Sequence, residues 1–220
     1  MSVKICSHPG AGCIKAMPLT TNANNGMCSS YDQYNVHQIT KAATELEIMR
    51  LREQSNKIPE SQRHQRFPPV CQQILRSLPG NRKCIDCDEH NPDWASVSHG
   101  ALLCLSCAGK HRGLGVRTSK VRSISMDSWN HNEVLSMLEG GNGQLSAFYA
   151  RHGLCKDSYL GDSTVNSTAT EAINLMRYKT KAALFYRKNL DLHVDRVCSL
   201  GVYKGREMSR KILLKVGGAS

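Results

Sequence analysis

The stretch "CIDCDEHNPDWASVSHGALLCLSC", Cys84 to Cys107, places two cysteine pairs sixteen residues apart. Within each pair two residues separate the cysteines, a spacing that lets both sulfurs face one metal ion without backbone strain. Two such pairs can close a tetrahedron of thiolates, so we predict one Zn²⁺ bound by Cys84, Cys87, Cys104 and Cys107. Four protein ligands leave no open position for water, and the predicted zinc is therefore structural.

The composition predicts a globular chain of the cytosol. The chain has 220 residues, of which 40% are hydrophobic and 5% aromatic, enough for one main core with flanking segments. No window holds eighteen consecutive apolar residues, and the first twenty residues lack the apolar stretch of a signal peptide. We therefore expect the ten cysteines to bind metal or to be buried, and not to form disulfides.

Positive charge is concentrated after residue 60. The formal net charge is +11, and residues 61–220 hold 23 of the 29 lysines and arginines but only 13 of the 18 acidic residues. Such an excess predicts an anionic partner for this part of the chain, which can be nucleic acid, a membrane surface or an acidic protein face.

The first 67 residues are predicted to flank the domain. Residues 1–60 are rich in polar residues and should be largely disordered, except for one amphipathic helix at about 39–54. Four apolar residues recur there at helical spacing: Ile39, Ala43, Leu46 and Met49. Residues 61–67 form a polar linker that ends at Pro68 and Pro69, where a helix begins.

Local signals predict the elements around the cysteines. A short helix through "VCQQILRSL" stops at Pro79, and "VRSISMDSW" alternates like a strand. Asn130 with Glu133 forms a capping box for a helix that ends at Gly140. The stretches "QLSAFYARHG" and "ATEAINLMRYKTKAALFYRKNL" predict two further helices, the second with Ile173, Met176, Ala183 and Leu184 near one face.

Three other kinds of chemistry fit the sequence less well. Cys107 and His111 are one helical turn apart, as a thiol nucleophile and its base would be, but zinc ligation occupies that thiol. The stretch "GLGVRTSK" lacks the glycine and lysine pattern of a phosphate-binding loop. A DNA-reading helix after the second cysteine pair would be cut short by Gly113 and Gly115.

The cysteines and the residues after them resemble the GTPase-activating domain that acts on Arf-type small GTPases. The family signature is the four-cysteine knuckle followed, after four residues, by an arginine, and this chain has Arg112 at that position. The resemblance extends through "LEGGN" to "YKTKAALFYRKNL", covers roughly residues 68–192, and leaves residues 193–220 as a basic tail. It implies an α+β fold, with a small three-stranded sheet and the zinc knuckle surrounded by about five helices.

The resemblance also implies a function. Arg112 would act as an arginine finger inserted into the GTP site of a GTP-bound Arf-type GTPase, and the chain itself would have no intrinsic hydrolase activity. Five more residues fall at positions that support or contact the GTPase: Trp94, Leu105, Lys110, Met126 and Asp127. Trp94 and Leu105 are equally compatible with packing around the knuckle, Met126 with the core, and Asp127 with capping a turn or a local helix.

Some residues depart from the family pattern, and they keep alternatives open. The family usually has serine where this chain has Ala108, an apolar residue at Lys110, histidine near Arg117 and asparagine near Ser146. A charge at Lys110 beside the finger has to face solvent or an acidic patch on the GTPase. An inactive adaptor that binds Arf-type proteins therefore remains an alternative, and a DNA-binding zinc finger is a more distant one.

The basic residues near the end of the chain suggest a membrane surface as a second partner. The resemblance implies a cytoplasmic protein that acts peripherally at Golgi, endosomal or plasma membranes, and no nucleic acid is expected to bind. Ten cations are candidates for attraction to anionic lipid: Arg177, Lys179, Lys181, Arg187, Lys188, Lys204, Arg206, Arg210, Lys211 and Lys215.

Overall fold

The computed structural model describes residues 30–55, 65–155 and 175–217. The predicted disorder of residues 1–29 and most of the predicted linker lie outside these ranges. Within them the chain forms seven α-helices and one three-stranded sheet, which confirms the α+β prediction with two more helices than expected. The elements are α1 Ser30–Gln54, α2 Pro69–Ser77, β1 Trp94–Ser96, β2 Ala101–Leu103, α3 Leu105–Gly113, β3 Val121–Ser123, α4 His131–Glu139, α5 Asn142–Arg151, α6 Lys181–Ser199 and α7 Arg206–Gly217.

The sheet is small and fully antiparallel. Its order is β2-β1-β3, and Trp94 at the start of β1 lies opposite Leu103 on one side and Ser123 on the other. The outer edge of β2 is covered by Asn142, whose side chain accepts from the Leu102 N–H at 2.7 Å and donates to the Leu102 carbonyl at 3.1 Å. The Leu102 carbonyl also accepts from the Ile85 N–H at 3.1 Å, so the outward backbone groups of Leu102 are paired although β2 is an edge strand.

Helix α4 runs through the centre of the core. Its capping box is present as predicted, because Asn130 accepts from the Glu133 N–H and the Glu133 carboxylate accepts from the Asn130 N–H. Four apolar side chains of α4 are almost wholly buried: Val134, Leu135, Met137 and Leu138. Among the helices of the described ranges, α4 included, none is long and apolar enough to cross a membrane.

Helix α1 begins at Ser30, earlier than the predicted start near residue 39, and packs on α2 and α4. Its residues Ala43, Leu46 and Met49 are buried. Glu45 accepts from the Val70 N–H at 3.0 Å at the start of α2, which has no side-chain cap of its own. A carboxylate at a helix N-terminus satisfies orphan N–H groups and complements the helix dipole, so α1 completes α2.

The predicted continuous helix before residue 190 is interrupted. Arg177–Lys179 form a single 3-10 turn, and Thr180 then caps α6 by accepting from the Ala183 N–H at 3.1 Å. A residue that caps a helix has extended backbone angles, so Thr180 breaks the helical run. The predicted common face is also wrong, since Ala183 is buried while Met176 and Leu184 are exposed; Ile173 lies outside the described residues.

The backbones of Gly100 and Gly140 touch where α4 ends. The Gly141 N–H donates to the Gly100 carbonyl at 2.6 Å. A Cβ on Gly140 would lie 2.7 Å from the Gly100 Cα and 2.8 Å from the Ser136 carbonyl oxygen. Because both neighbours are backbone atoms that cannot rotate away, only glycine fits at this crossing.

We predict that Gly140→Ala destabilises the fold by about 1 to 3 kcal/mol, because backbone must move to admit the methyl group. Gly109→Ala is the matched control, since a Cβ at this helical position meets no atom within 4 Å. That change should stabilise the protein by about 0.5 to 1 kcal/mol through helix propensity. Urea unfolding of both variants measures the difference, and equal stabilities would contradict the close approach.

Candidate functional site

The four predicted ligands come together in the structure. The sulfur atoms of Cys84, Cys87, Cys104 and Cys107 all lie within 4.8 Å of one another, and those of Cys87 and Cys104 are 3.5 Å apart. Tetrahedral zinc with Zn–S bonds of about 2.3 Å requires sulfurs about 3.8 Å apart, so the donor set and its spacing fit one Zn²⁺. The four sulfurs fill the coordination sphere, which makes the site structural.

Local backbone geometry positions these sulfurs. Cys104 is the N-cap of α3, and its sulfur accepts from the Cys107 N–H at 3.4 Å. The Cys84 N–H donates to the Glu89 carbonyl at 2.8 Å, which closes the first turn. A hydrogen bond with Cys107 lowers the pKa of the Cys84 thiol. The same hydrogen bond raises the pKa of the Cys107 thiol, and burial raises that of Cys104. Cys84 is therefore the ligand most readily present as a thiolate, and the positive charge of a bound Zn²⁺ would favour the thiolate form of the others.

Arg112 lies in the last turn of α3 and is exposed. Its guanidinium carbon is 4.5 Å from the centre of the Trp94 ring. A cation over an indole face is attracted by the ring quadrupole, so Trp94 supports the arginine from below. Helix α3 ends at Gly113, and the chain turns away at Gly115, which has a φ of +84°.

Exposed apolar side chains follow the three elements that end near this arginine and tryptophan, which are β2, β3 and α3. Leu105 is 66% exposed and Met126 is 71% exposed, so neither belongs to the core. Leu105 follows the end of β2 and Met126 the end of β3, and both strands end beside Trp94 in the sheet register. Val116, which the sequence did not single out, is 74% exposed in the loop after α3. An apolar rim around a cation is the composition of a protein-binding surface.

Two other predicted contact residues have different surroundings. Asp127 is half-buried, and its carboxylate accepts from the Ser123 N–H at 2.6 Å, as expected for a residue that caps a turn. Lys110 is half-buried on α3. Neither the capping bond of Asp127 nor the burial of Lys110 tests a contact with a GTPase, so both assignments stay predictions.

A largely buried carboxylate joins the knuckle to α3. Asp86, between the first two ligands, accepts from His111 Nε2 at 3.0 Å and from both Arg177 and the Tyr178 hydroxyl at 2.6 Å. Burial alone would raise the pKa of Asp86, but His111, Arg177 and Tyr178 hold that pKa well below its usual range. Asp86 therefore remains an anion that ties the knuckle, α3 and the segment before α6 together.

The sequence did not predict the cluster of Asp86 with His111, Arg177 and Tyr178. Arg177 was predicted to be a surface cation, yet it is only 4% exposed. The sequence around Asp86 has no hydrophobic periodicity that would have predicted a largely buried side chain at this position. His111 is wholly buried and bonded to Asp86, so it is not the free base that a cysteine nucleophile would need. The spacing of Cys107 and His111 therefore reflects helix geometry and not nucleophilic chemistry.

Several predicted basic residues are engaged within the fold. Arg187 donates to the carbonyls of Arg117 and Thr118, and Arg206 and Arg210 both donate to Gln144. The cations that remain exposed are Lys179, Lys181, Lys188, Lys204 and Lys211; the side chain of Lys215 lies outside the described residues. The exposed basic surface is thus smaller than the sequence predicted.

We predict that Cys104→Ala lowers the melting temperature by about 10 °C or more, because a closed thiolate site contributes folding free energy directly. Bound zinc should fall from one ion per chain to a small fraction of that amount. Cys155→Ala is the control, since Cys155 is exposed and lies outside the cluster. Calorimetry and elemental analysis provide the measurements; full zinc content in Cys104→Ala would contradict the assignment.

Known proteins match the region that holds this site. The ArfGap family, described as "Putative GTPase activating protein for Arf", matches residues 70–200. The ADP-ribosylation factor GTPase-activating protein 3 of Mus musculus is 39% identical over 117 residues, which are 53% of this chain and 20% of that protein. The ADP-ribosylation factor GTPase-activating protein GCS1 of Saccharomyces cerevisiae is 48% identical over 80 residues, 36% of this chain and 23% of that protein.

A solved structure of an ArfGap domain also aligns with part of this chain. The solution structure of the ArfGap domain of human RIP aligns with a TM-score of 0.39 and 25% identity, over 53% of this chain and 83% of that one. The chain spans only about a fifth of the length of the curated relatives named above. The family match covers more than half of the chain and includes the cysteine cluster, and the chain therefore belongs to the ArfGap family.

Proposed function

We propose that this chain activates GTP hydrolysis on a GTP-bound Arf-type small GTPase, and that Arg112 is the residue it supplies. The observation that carries the proposal is the position of Arg112, exposed at the end of a helix whose start is fixed by the cysteine quartet. The names of the family and of its relatives support the choice of substrate.

The chemistry explains why an arginine is needed. Phosphoryl transfer spreads negative charge over the γ-phosphate oxygens, so catalysis requires mainly positioned cations. The planar guanidinium offers several N–H donors in a fixed fork, which matches phosphate oxygens better than the point charge of lysine does. The nucleotide, Mg²⁺ and the attacking water all belong to the GTPase, and this chain contributes the cation and the surface that delivers it.

The residues around Arg112 have separate tasks in this proposal. Trp94 holds the guanidinium above its ring until the partner binds. Leu105, Val116 and Met126 form the apolar rim that packs on the GTPase and excludes water from the phosphate site. Exclusion of water lowers the local dielectric constant and strengthens the attraction between guanidinium and phosphate.

Helix α6 supports a second proposal, that its outward face contacts an anionic membrane. Leu184, Phe185 and Leu192 are exposed there, directly opposite the buried face of the helix, and Phe185 is 60% exposed. Lys181 and Lys188 lie among them. Apolar side chains interleaved with lysines suit a surface of anionic headgroups over acyl chains. In this proposal the protein acts in the cytoplasm, at the membrane that carries its GTPase.

We predict that Arg112→Lys loses most of the acceleration of GTP hydrolysis, because the charge remains but the fork does not. Arginine fingers contribute roughly 10³ to 10⁵ in turnover, or about 4 to 7 kcal/mol of barrier. Arg112→Ala should lose at least as much as Arg112→Lys. Zinc content and melting temperature should stay unchanged in both variants, since the side chain is exposed. Single-turnover hydrolysis with a panel of Arf-type GTPases measures the effect.

The same assay separates the alternatives. An active wild type matched by Arg112→Lys would refute the finger, and a wild type that binds the GTPase without accelerating hydrolysis would establish the adaptor.

A duplex-DNA shift assay tests the alternative that the chain is a DNA-binding zinc finger. Weak binding is expected there, because Lys120 and Arg122 both pair with Glu133, which neutralises part of the positive charge next to α3.

We predict that Lys181→Glu with Lys188→Glu weakens sedimentation with anionic vesicles roughly tenfold or more, because each lysine near the surface contributes about 1 kcal/mol. Lys41→Glu with Arg52→Glu is the control, since it makes the same charge change at exposed positions of α1. Neutral vesicles should pellet little protein. Equal weakening by both pairs would show general attraction to charge and would contradict a specific α6 face.

A further inference from the structure

A chain of four hydrogen bonds, three of them buried and the one to Asp86 partly buried, runs beneath α3. His99 Nδ1 lies 2.8 Å from Ser96 Oγ, and Ser96 Oγ lies 2.7 Å from Ser119 Oγ. Ser119 Oγ lies 2.8 Å from His111 Nδ1, and His111 Nε2 lies 3.0 Å from Asp86 Oδ2. The four bonds link the 3-10 turn after β1, β1 itself, the loop after α3, α3 and the cysteine knuckle.

One arrangement of protons satisfies all four bonds of this hydrogen-bond chain. His111 donates from Nε2 to Asp86 and accepts at Nδ1 from the Ser119 hydroxyl. Ser119 accepts from the Ser96 hydroxyl, and Ser96 accepts from the Nδ1–H of His99. His99 Nε2 is then a lone pair, which agrees with its lack of a protein partner. Burial lowers the pKa of His99 and keeps its ring neutral, as this arrangement requires.

This arrangement of protons makes the hydrogen-bond chain rigid. Neither hydroxyl can rotate without leaving a buried donor or acceptor unpaired, which costs about 1 to 3 kcal/mol for each group. Aromatic contacts add to this rigidity, because the Tyr178 ring packs edge-on against both histidines, with ring centres 4.4 Å from His111 and 5.0 Å from His99. The His111 ring is therefore held by a hydrogen bond at each nitrogen and by the Tyr178 ring.

Two residues of the hydrogen-bond chain, His111 and Ser119, lie on either side of Arg112 in the sequence. His111 precedes the arginine directly, and Ser119 ends the loop that leaves α3 through Gly115. The side chains of His111 and Ser119 are 0% and 1% exposed, whereas that of Arg112 is exposed. The exposed residue thus has a buried, hydrogen-bonded anchor on each side.

We propose that Ser119 is a positioning residue for Arg112: its hydroxyl joins the two anchors and so fixes the last turn of α3 and the direction in which the guanidinium projects. The proposal rests on the proposed role of Arg112. Ser119 does not touch the substrate, so its loss should reduce turnover while the affinity for the GTPase is kept.

Ser119→Ala is the direct test. We expect kcat for GTP hydrolysis to fall by between about 10-fold and 100-fold, because a small misplacement of a catalytic group has this cost. The KM for the GTP-bound GTPase and the zinc content should stay the same. Ser136→Ala is the matched control, since Ser136 is also buried but donates to the Asn132 carbonyl of its own helix. It should leave kcat unchanged at temperatures where both variants are folded.

A double-mutant cycle separates positioning from general damage. If Ser119 acts through Arg112, then Ser119→Ala should cause no further loss of kcat in an Arg112→Ala background. A further loss there, an equal loss in Ser136→Ala, or a wild-type kcat in Ser119→Ala would overturn the proposal. If Arg112→Ala alone keeps full acceleration, the finger itself fails.

A readout independent of activity completes the test. The Nε–Hε NMR resonance of Arg112, identified by its absence in Arg112→Lys, senses the Trp94 ring below it. It should shift in Ser119→Ala and not in Ser136→Ala, and an unmoved resonance overturns the positioning role even if the finger fails. If Ser119→Ala does not fold, Ser96→Ala removes the two bonds that Ser96 makes, to Ser119 and to His99, and must show the same changes to a smaller degree.

Discussion

The cysteine quartet supplies what strands of three residues cannot supply for themselves. A three-stranded sheet this short has few hydrogen bonds and little apolar surface, so it needs an additional cross-link or packed helices to persist. The four sulfurs tie the turn at Cys84–Cys87 to the start of α3 at Cys104–Cys107, and the sheet is held between these points. Helix α3 carries two glycines within nine residues, so its place and direction depend on this cross-link and on packing.

Asp86 extends the same constraint into the rest of the fold. A buried carboxylate stabilises a structure only when its partners are complete, because an unpaired buried charge is strongly unfavourable. Asp86 has three partners, His111, Arg177 and Tyr178, which come from α3 and from the segment before α6. The anion therefore requires both segments to be in place before the knuckle is fully satisfied, which favours one arrangement of the domain over looser ones.

The two sides of α3 differ in a way that suits an activator. The inner side is a hydrogen-bonded polar network, which is rigid because the hydroxyls of Ser96 and Ser119 cannot rotate without losing a bond. The outer side combines a cation with exposed Leu105, Val116 and Met126. Rigidity on one side lowers the entropy lost when the other side docks, and binding energy can then be used to place the guanidinium. The same division keeps the polar groups away from the surface that has to exclude water.

Local chemistry made much of this protein predictable from its sequence. The spacing of the cysteines defines a zinc site because a metal ion needs only four donors at short range. The capping box at Asn130 and the proline start of α2 depend on a few neighbouring residues, and both are present as predicted. What only the tertiary structure decided was burial: Arg177 is enclosed by Asp86 and Tyr178, while Leu105 and Met126 remain outside the core. These outcomes depend on contacts between residues up to about ninety positions apart, and a residue's own type and spacing do not specify which distant partner will cover it.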